Sequence, residues 1–185
     1  ETYEALKFYI DLNFDGLKEA VICMLGNAHW QMDPSTCQND MTTFKTRDDI
    51  LTLLVHLGYL AYDENSGEAF IPNLEITQEF LRAVKTGGWD GLTRSLERSG
   101  KLLESTWAMD GQAVAEEVAA IHSETSSILK YNDENSLTCT ILMAYYSAKA
   151  YYMPQVLELP SGKGFADVVY LPLRNVDRPA LVVEL

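Results

Sequence analysis

Apolar residues recur at helical spacing along most of the chain and give way to short alternating runs in only a few places. Leu17, Ala20, Val21, Met24 and Leu25 predict a short helix, opened by Asn13 or Asp15 and ended by Gly26. From His29 to Thr43 the period is lost among Pro34 and small polar residues, a pattern of strand and loop. Ile50, Leu51, Leu53, Leu54 and Leu57 predict a second helix, capped by Thr46 or Asp48 and closed by Gly58. Tyr59 to Tyr62 and Glu68 to Ile71 flank the turn-rich Asp63 to Gly67, which is a hairpin signal. Pro72 and Asn73 then introduce a helix through Ile76, Phe80, Leu81 and Val84.

Helix, hairpin and helix over residues 46–86 resemble part of a winged-helix unit. A helix that reads DNA needs basic and amide side chains to reach phosphates and base edges. The helix from Asn73 to Lys85 offers Gln78, Arg82 and Lys85 against Glu75 and Glu79, which fits a packing module better. Gly87 and Gly88 break the chain before two further helices, one from Trp89 to Ser105 and one from Asp110 to Ile121. The second carries Val114, Val118 and Ile121 on one stripe, with Glu116 and Glu117 expected toward solvent. Ser123 to Tyr131 reads as a connection, because its Ser and Thr side chains favour local backbone bonding over helix.

The last fifty-odd residues read helix, strand, strand, strand. Asn132 to Ser136 opens a long helix with Leu137, Ile141, Ala144, Tyr145 and Ala148 on one face. Met153 to Leu159 is a strand candidate, and Pro160 to Gly164 a turn. Two apolar runs follow, Gly164 to Pro172 and Arg178 to Leu185, and each carries one carboxylate, Asp167 and Glu184. If they form an antiparallel hairpin around Leu173 to Arg178, Val169 faces Val182 and Asp167 faces Glu184. The two Cβ atoms would then be roughly 5 Å apart, where like charges repel. Such a pair needs solvent, a shared proton or a cation, and Mg²⁺ takes one or two carboxylates with water and substrate phosphate. Solvated acids at a sheet edge are the alternative.

Composition narrows the function classes. The 185 residues are 47% hydrophobic and 22% charged, ordinary for a globular chain. Lys and Arg number 14 against 27 Asp and Glu, a formal charge of −13, which argues against non-specific nucleic-acid binding by this chain alone. Cys23, Cys37 and Cys139 are odd in number and lack Cys-x-x-Cys spacing, so neither a disulfide framework nor a zinc site is expected, and a reducing cytoplasm is the simplest compartment. No run approaches the ~20 apolar residues of a membrane span.

Other chemistries fit less well. Ser161 to Gly164 lacks the spacing of a phosphate loop and precedes a strand rather than a helix, so nucleotide binding is not expected there, although Lys163 could partner a phosphate or carboxylate. His29, His56 and His122 are isolated, with His56 on an apolar helical face, and read as structural. Tyr145, Tyr146, Tyr151 and Tyr152 read as core or interface. Glu134 lies in the first turn of its helix, where the dipole alone favours a carboxylate.

Gly162 to Asp167 followed by Pro179 to Glu184 resembles the PD-(D/E)xK nuclease superfamily. More narrowly, the chain resembles the nuclease-like C-terminal region of bacterial AAA-ATPase-like proteins, a likeness shared by Gln38 to Phe44, Asp49 to Asp63 and Ile128 to Leu137. The resemblance implies a core of helix, three strands, helix and strand. In it Asp167 and Glu184 would be the metal ligands on the second and third strands and Glu134 the helix carboxylate, together the catalytic acidic site. Mg²⁺ or Mn²⁺ would be the cofactor, and a Lys two residues after Glu184 would assist catalysis. Because the chain starts without Met and ends at Leu185, it is expected to be a fragment that lacks that Lys, the later helix and strand, and an N-terminal ATPase domain.

The expected fold is therefore α+β: a helical, winged-helix-like region over residues 1–125, then an incomplete nuclease-like core over 126–185. The expected function is part of a Mg²⁺-dependent nuclease-like domain acting on DNA or RNA in its parent protein, inactive as a truncated chain. The alternative is a non-catalytic interaction or relay module of an ATPase. An exposed final strand is also expected to favour self-association.

Overall fold

The computed structural model describes residues 2–12, 14, 16–36, 44–125, 134–162 and 164–185. Helices and two small antiparallel sheets make an α+β protein of two compact units, 1–90 and 91–185. The sequence places the division later, at residue 125; by compactness the two helices before that point group with the second unit.

In the first unit, helix α1 (Thr2–Asp11) packs against two later helices, α3 (Arg47–His56) and α4 (Leu74–Thr86). Nothing in the sequence reading anticipates α1. Its apolar stripe is reduced to Leu6 and Ile10, four residues apart and both fully buried, while Phe8 is 61% exposed. Helix α2 (Leu17–Leu25) is buried at every residue from Ala20 to Leu25, as a helix apolar all round must be. Its N-cap is Gly16, with φ of 79° and no side-chain cap; Asn13 and Asp15, the expected caps, lie outside the described residues. Cys23 is disulfide-bonded, contrary to the expectation from cysteine count and spacing. Cysteine count and spacing signal disulfide frameworks and metal sites and do not settle whether a given cysteine is bridged.

Strand β1 (Trp30–Gln31) follows, then a 3-10 turn at Pro34–Thr36. Thr46 caps α3: its hydroxyl accepts from the Asp49 amide at 3.3 Å, while Asp49 Oδ2 accepts from the Thr46 amide at 2.9 Å. Asp48, the other cap candidate, instead accepts from Asp33 N and Arg47 Nε. The expected hairpin is strands β2 (Ala61–Asp63) and β3 (Glu68–Phe70), closed by Gly67 N donating to Asp63 O at 2.8 Å. β1 joins the far side of β3, giving the order β1-β3-β2. Asn73 caps α4 through Ile76 N at 3.0 Å. His56 is exposed, not on the packed face where the sequence places it.

The second unit opens with α5 (Asp90–Trp107) and α6 (Gly111–Thr125). Gly91 lets these helices touch: a Cβ there would stand 2.4 Å from the Glu124 carbonyl oxygen. Glu117 departs from the solvent-facing position expected of it. It is buried rather than solvated, because Arg98 at 3.0 Å and Lys101 both reach its carboxylate from α5. Ser123 to Thr125 continue α6 instead of leaving it, with Thr125 Oγ1 donating to Ile121 O; the rest of the expected connection lies outside the described residues. Helix α7 (Glu134–Ala144) gives way at Tyr145 to a 3-10 helix, Tyr146–Ala150, so the long expected helix is two pieces. There Ser147 N donates to Ser99 Oγ on α5 at 2.8 Å, and Ala148 N donates to Tyr145 O at 2.9 Å in the 3-10 pattern. Cys139 on α7 is disulfide-bonded.

Strands β4 (Val156–Ser161), β5 (Gly164–Tyr170) and β6 (Leu181–Val183) finish the unit as an antiparallel meander with β5 in the middle. Ala166, Val168 and Tyr170 are buried, whereas Phe165 is 63% exposed. β6 is an edge strand, as expected, with Val182 60% exposed.

Candidate functional site

The register of the last two strands pairs Val168 with Val183, Val169 with Val182 and Tyr170 with Leu181. Continuing that register one step past the end of β6 sets Asp167 across from Glu184, the opposition expected from the sequence. Pro172 bridges to Tyr152. Asp167 is half-buried on the middle strand, while Glu184 is exposed just past the end of β6. Leu185 N donates to Asp167 Oδ2 at 2.6 Å, which binds the chain after β6 to β5 through a side chain. Among the described residues, neither acid has a cationic partner.

The sequence reading missed a third carboxylate. β4 pairs with β5 through Leu157 with Val168 and Leu159 with Ala166, so Glu158 falls opposite Asp167 from the other side. Glu158, Asp167 and Glu184 thus hold corresponding backbone positions, although Glu158 interrupts the β4–β5 pairing and Glu184 follows the last residue of β6. The visible signal was the alternation in Val156-Leu-Glu-Leu159, where a single charge interrupts an apolar strand. Glu158 has φ of 50°, uncommon for a residue with a side chain and a local break in the pleat.

Glu134 is the first residue of α7, as the sequence places it, but its carboxylate and Lys163 lie outside the described side chains. Among the described residues no three His, Cys, Asp or Glu side chains gather closely enough to hold a metal. What the site does offer is chemistry of the right kind: hard carboxylate oxygens, one of Asp167's already engaged by an amide, suited to Mg²⁺ or Mn²⁺ rather than to a soft metal.

On the opposite side of β5, burial raises the Tyr170 phenol, with the nearby Tyr145 adding to the effect. Tyr145 and Tyr152 contact its ring, and both are buried, in line with a core role for these tyrosines. Among the described residues no helix is long and apolar enough to cross a membrane. The two disulfide-bonded cysteines remove the cysteine argument for a reducing compartment. No family model, curated protein or solved structure matches the chain.

Proposed function

We propose that the second unit is a divalent-metal-dependent, nuclease-like domain of the PD-(D/E)xK type, serving an ATPase-coupled protein and hydrolysing phosphodiester bonds in DNA or RNA. The observation that supports it most is Asp167 on the middle strand of a three-stranded meander, with Glu184 at the residue that follows the third strand and α7 and Glu134 ahead of them. Asp167 and Glu184 would hold the ion. Mg²⁺ or Mn²⁺, when bound, supplies an activated water and offsets charge on the phosphate. The half-burial of Asp167 sharpens that role, since a carboxylate partly withdrawn from water gains more from a cation than a solvated one. The family pattern puts its lysine at the position that follows Leu185, where it would meet charge developing on the phosphate.

The test is cleavage of single-stranded DNA, duplex DNA and RNA by the full-length natural protein with Mg²⁺ or Mn²⁺, compared with Asp167→Ala and Glu184→Ala. Loss of cleavage in both variants is the expected result. Cleavage that survives both substitutions overturns the site.

A second reading applies to the first unit, as a winged-helix-like module that binds protein rather than nucleic acid and relays the state of an ATPase domain. Its α3 is buried from Asp49 to Leu54, and Arg82 on α4 is paired with Glu79 at 2.7 Å, so the outer face of α4 carries mixed rather than basic charge. Capture of the ATPase domain by the first unit, without retention on DNA, would favour it.

A further inference from the structure

Asp167 and Glu184 can act together only while β6 keeps its register, because a slip of one residue would carry Glu184 to the other face. β6 has three residues and lies at the sheet edge, so its own ladder is a weak guarantee. The ten residues from Leu171 to Ala180 that lead into it must therefore be held from outside the hairpin.

The holding group is Tyr152. It is 3% exposed and stands between α5 and the strand connection. Trp107 Nε1 donates to its hydroxyl oxygen at 2.8 Å, and that hydroxyl donates onward to the Pro179 carbonyl at 2.9 Å, two residues before β6 begins. Proline has no N–H with which to join a ladder, so at residue 179 the carbonyl is the one backbone group available for anchoring. The near end of the connection is tied down beside it. Tyr152 bridges to Pro172, Met153 N donates to Leu171 O at 2.8 Å, and Leu173 N donates to Tyr151 O at 3.0 Å. Arg178 lies over the Trp107 ring at 3.9 Å, and Tyr151 meets the same ring edge-on at 4.9 Å.

We infer that Tyr152 is a positioning residue for the acidic pair: its hydroxyl relays the fixed position of Trp107 on α5 to Pro179 and so sets the register that opposes Glu184 to Asp167. The inference rests on reading that pair as the ligand set. Tyr152→Phe removes the relay while keeping the ring packed against Tyr170. Trp107 Nε1 and the Pro179 carbonyl would then each lose a partner, and β6 would fray.

The experiment reads the register without needing a metal. In amide hydrogen exchange followed by NMR, the Leu185 amide, which donates to Asp167, is protected while β6 keeps its register. In Tyr152→Phe that protection is expected to fall at least about tenfold, while Tyr151→Phe, which removes a hydroxyl outside the relay, leaves it intact. A Leu185 amide equally protected in Tyr152→Phe overturns the inference, as does a wild-type Leu185 amide that exchanges without protection. Mn²⁺ titration separates the two proposals. Loss of about tenfold in affinity in Tyr152→Phe, as for groups that orient metal ligands, accompanies the register change if both hold. A wild-type chain that binds no Mn²⁺ but shows the Leu185 effect sinks the metal reading and leaves the role of Tyr152 standing.

Discussion

The Leu185 amide hydrogen-bonds to the Asp167 carboxylate across the last two strands, one residue beyond the point where Asp167 and Glu184 face each other. The contact gives Asp167 two duties, as an acceptor that holds the chain after β6 and as a candidate ligand. The two are separable by substitution. Asp167→Asn keeps an acceptor oxygen and should preserve amide exchange protection in β6, whereas Asp167→Ala should lower it. Because the bond lies near the surface, the expected cost of the alanine variant is at most about 1 kcal/mol. Equal exchange in the two variants would show that the bond does not hold the strand.

Among the described glycines, Gly91 has the least room for a side chain. A methyl group there would meet the Glu124 carbonyl oxygen at 2.4 Å, and a backbone atom cannot rotate away as a side chain can. Gly91→Ala should therefore destabilise the protein by about 1–3 kcal/mol despite alanine's better helix propensity. Denaturant unfolding that shows a neutral or stabilising effect would mean that α5 and α6 can separate at little cost.

The Glu117 carboxylate is held below its ordinary range chiefly by its hydrogen bond from Lys101, with Arg98 adding to it against the opposing effect of burial. A depressed carboxylate contributes stability that is present above its unfolded value near 4.5 and is lost as pH falls through the folded value. Glu117→Gln should cost about 1–2 kcal/mol at pH 7, modest because both cations are largely exposed and screened. The difference between variant and wild type should shrink below pH 4. A difference that stays constant from pH 7 to pH 3 would assign the cost to packing instead.

Lys149 shifts the other way. Burial draws its ammonium from 10.5 to about 8, and it lies 4.5 Å over the Tyr146 ring. Between those two values the unfolded chain holds a proton that the folded chain has released, so this residue makes stability rise with pH across that window. Lys149→Met should remove that rise and stabilise the protein at pH 7 by about 1–3 kcal/mol, the cation–ring contact offsetting part of the gain. Thermal unfolding at pH 7 and pH 10 measures both effects, and a destabilised variant at pH 7 would contradict the account.

Much of the C-terminal sheet was legible because the spacing of Asp167, Val169 and Pro172 mirrors that of Glu184, Val182 and Pro179, so one hairpin register satisfies every pair at once. The hairpin of the first unit was legible for a similar reason, its Asp63 to Gly67 turn being flanked by short apolar strands. Glu158 escaped because its strand was read for its apolar residues, and a neighbour across β4 cannot be assigned until the turn at Gly162 fixes that register. Glu117 was misplaced because helical periodicity marks which face is apolar, and says nothing of cations arriving from another helix. α1 was missed since two buried residues, Leu6 and Ile10, carry too little period to stand out. Tyr152 looked like an ordinary core aromatic, and its role lies in a hydroxyl bond to Pro179 that only the folded chain brings within reach.

The most direct measurement is calorimetric titration of Mn²⁺ into the protein and into Asp167→Ala and Glu184→Ala. The acidic pair predicts saturable binding of one ion that weakens at least about tenfold in each variant. Absence of binding, or binding unchanged by both substitutions, would contradict the assignment of Asp167 and Glu184 as a metal-holding pair.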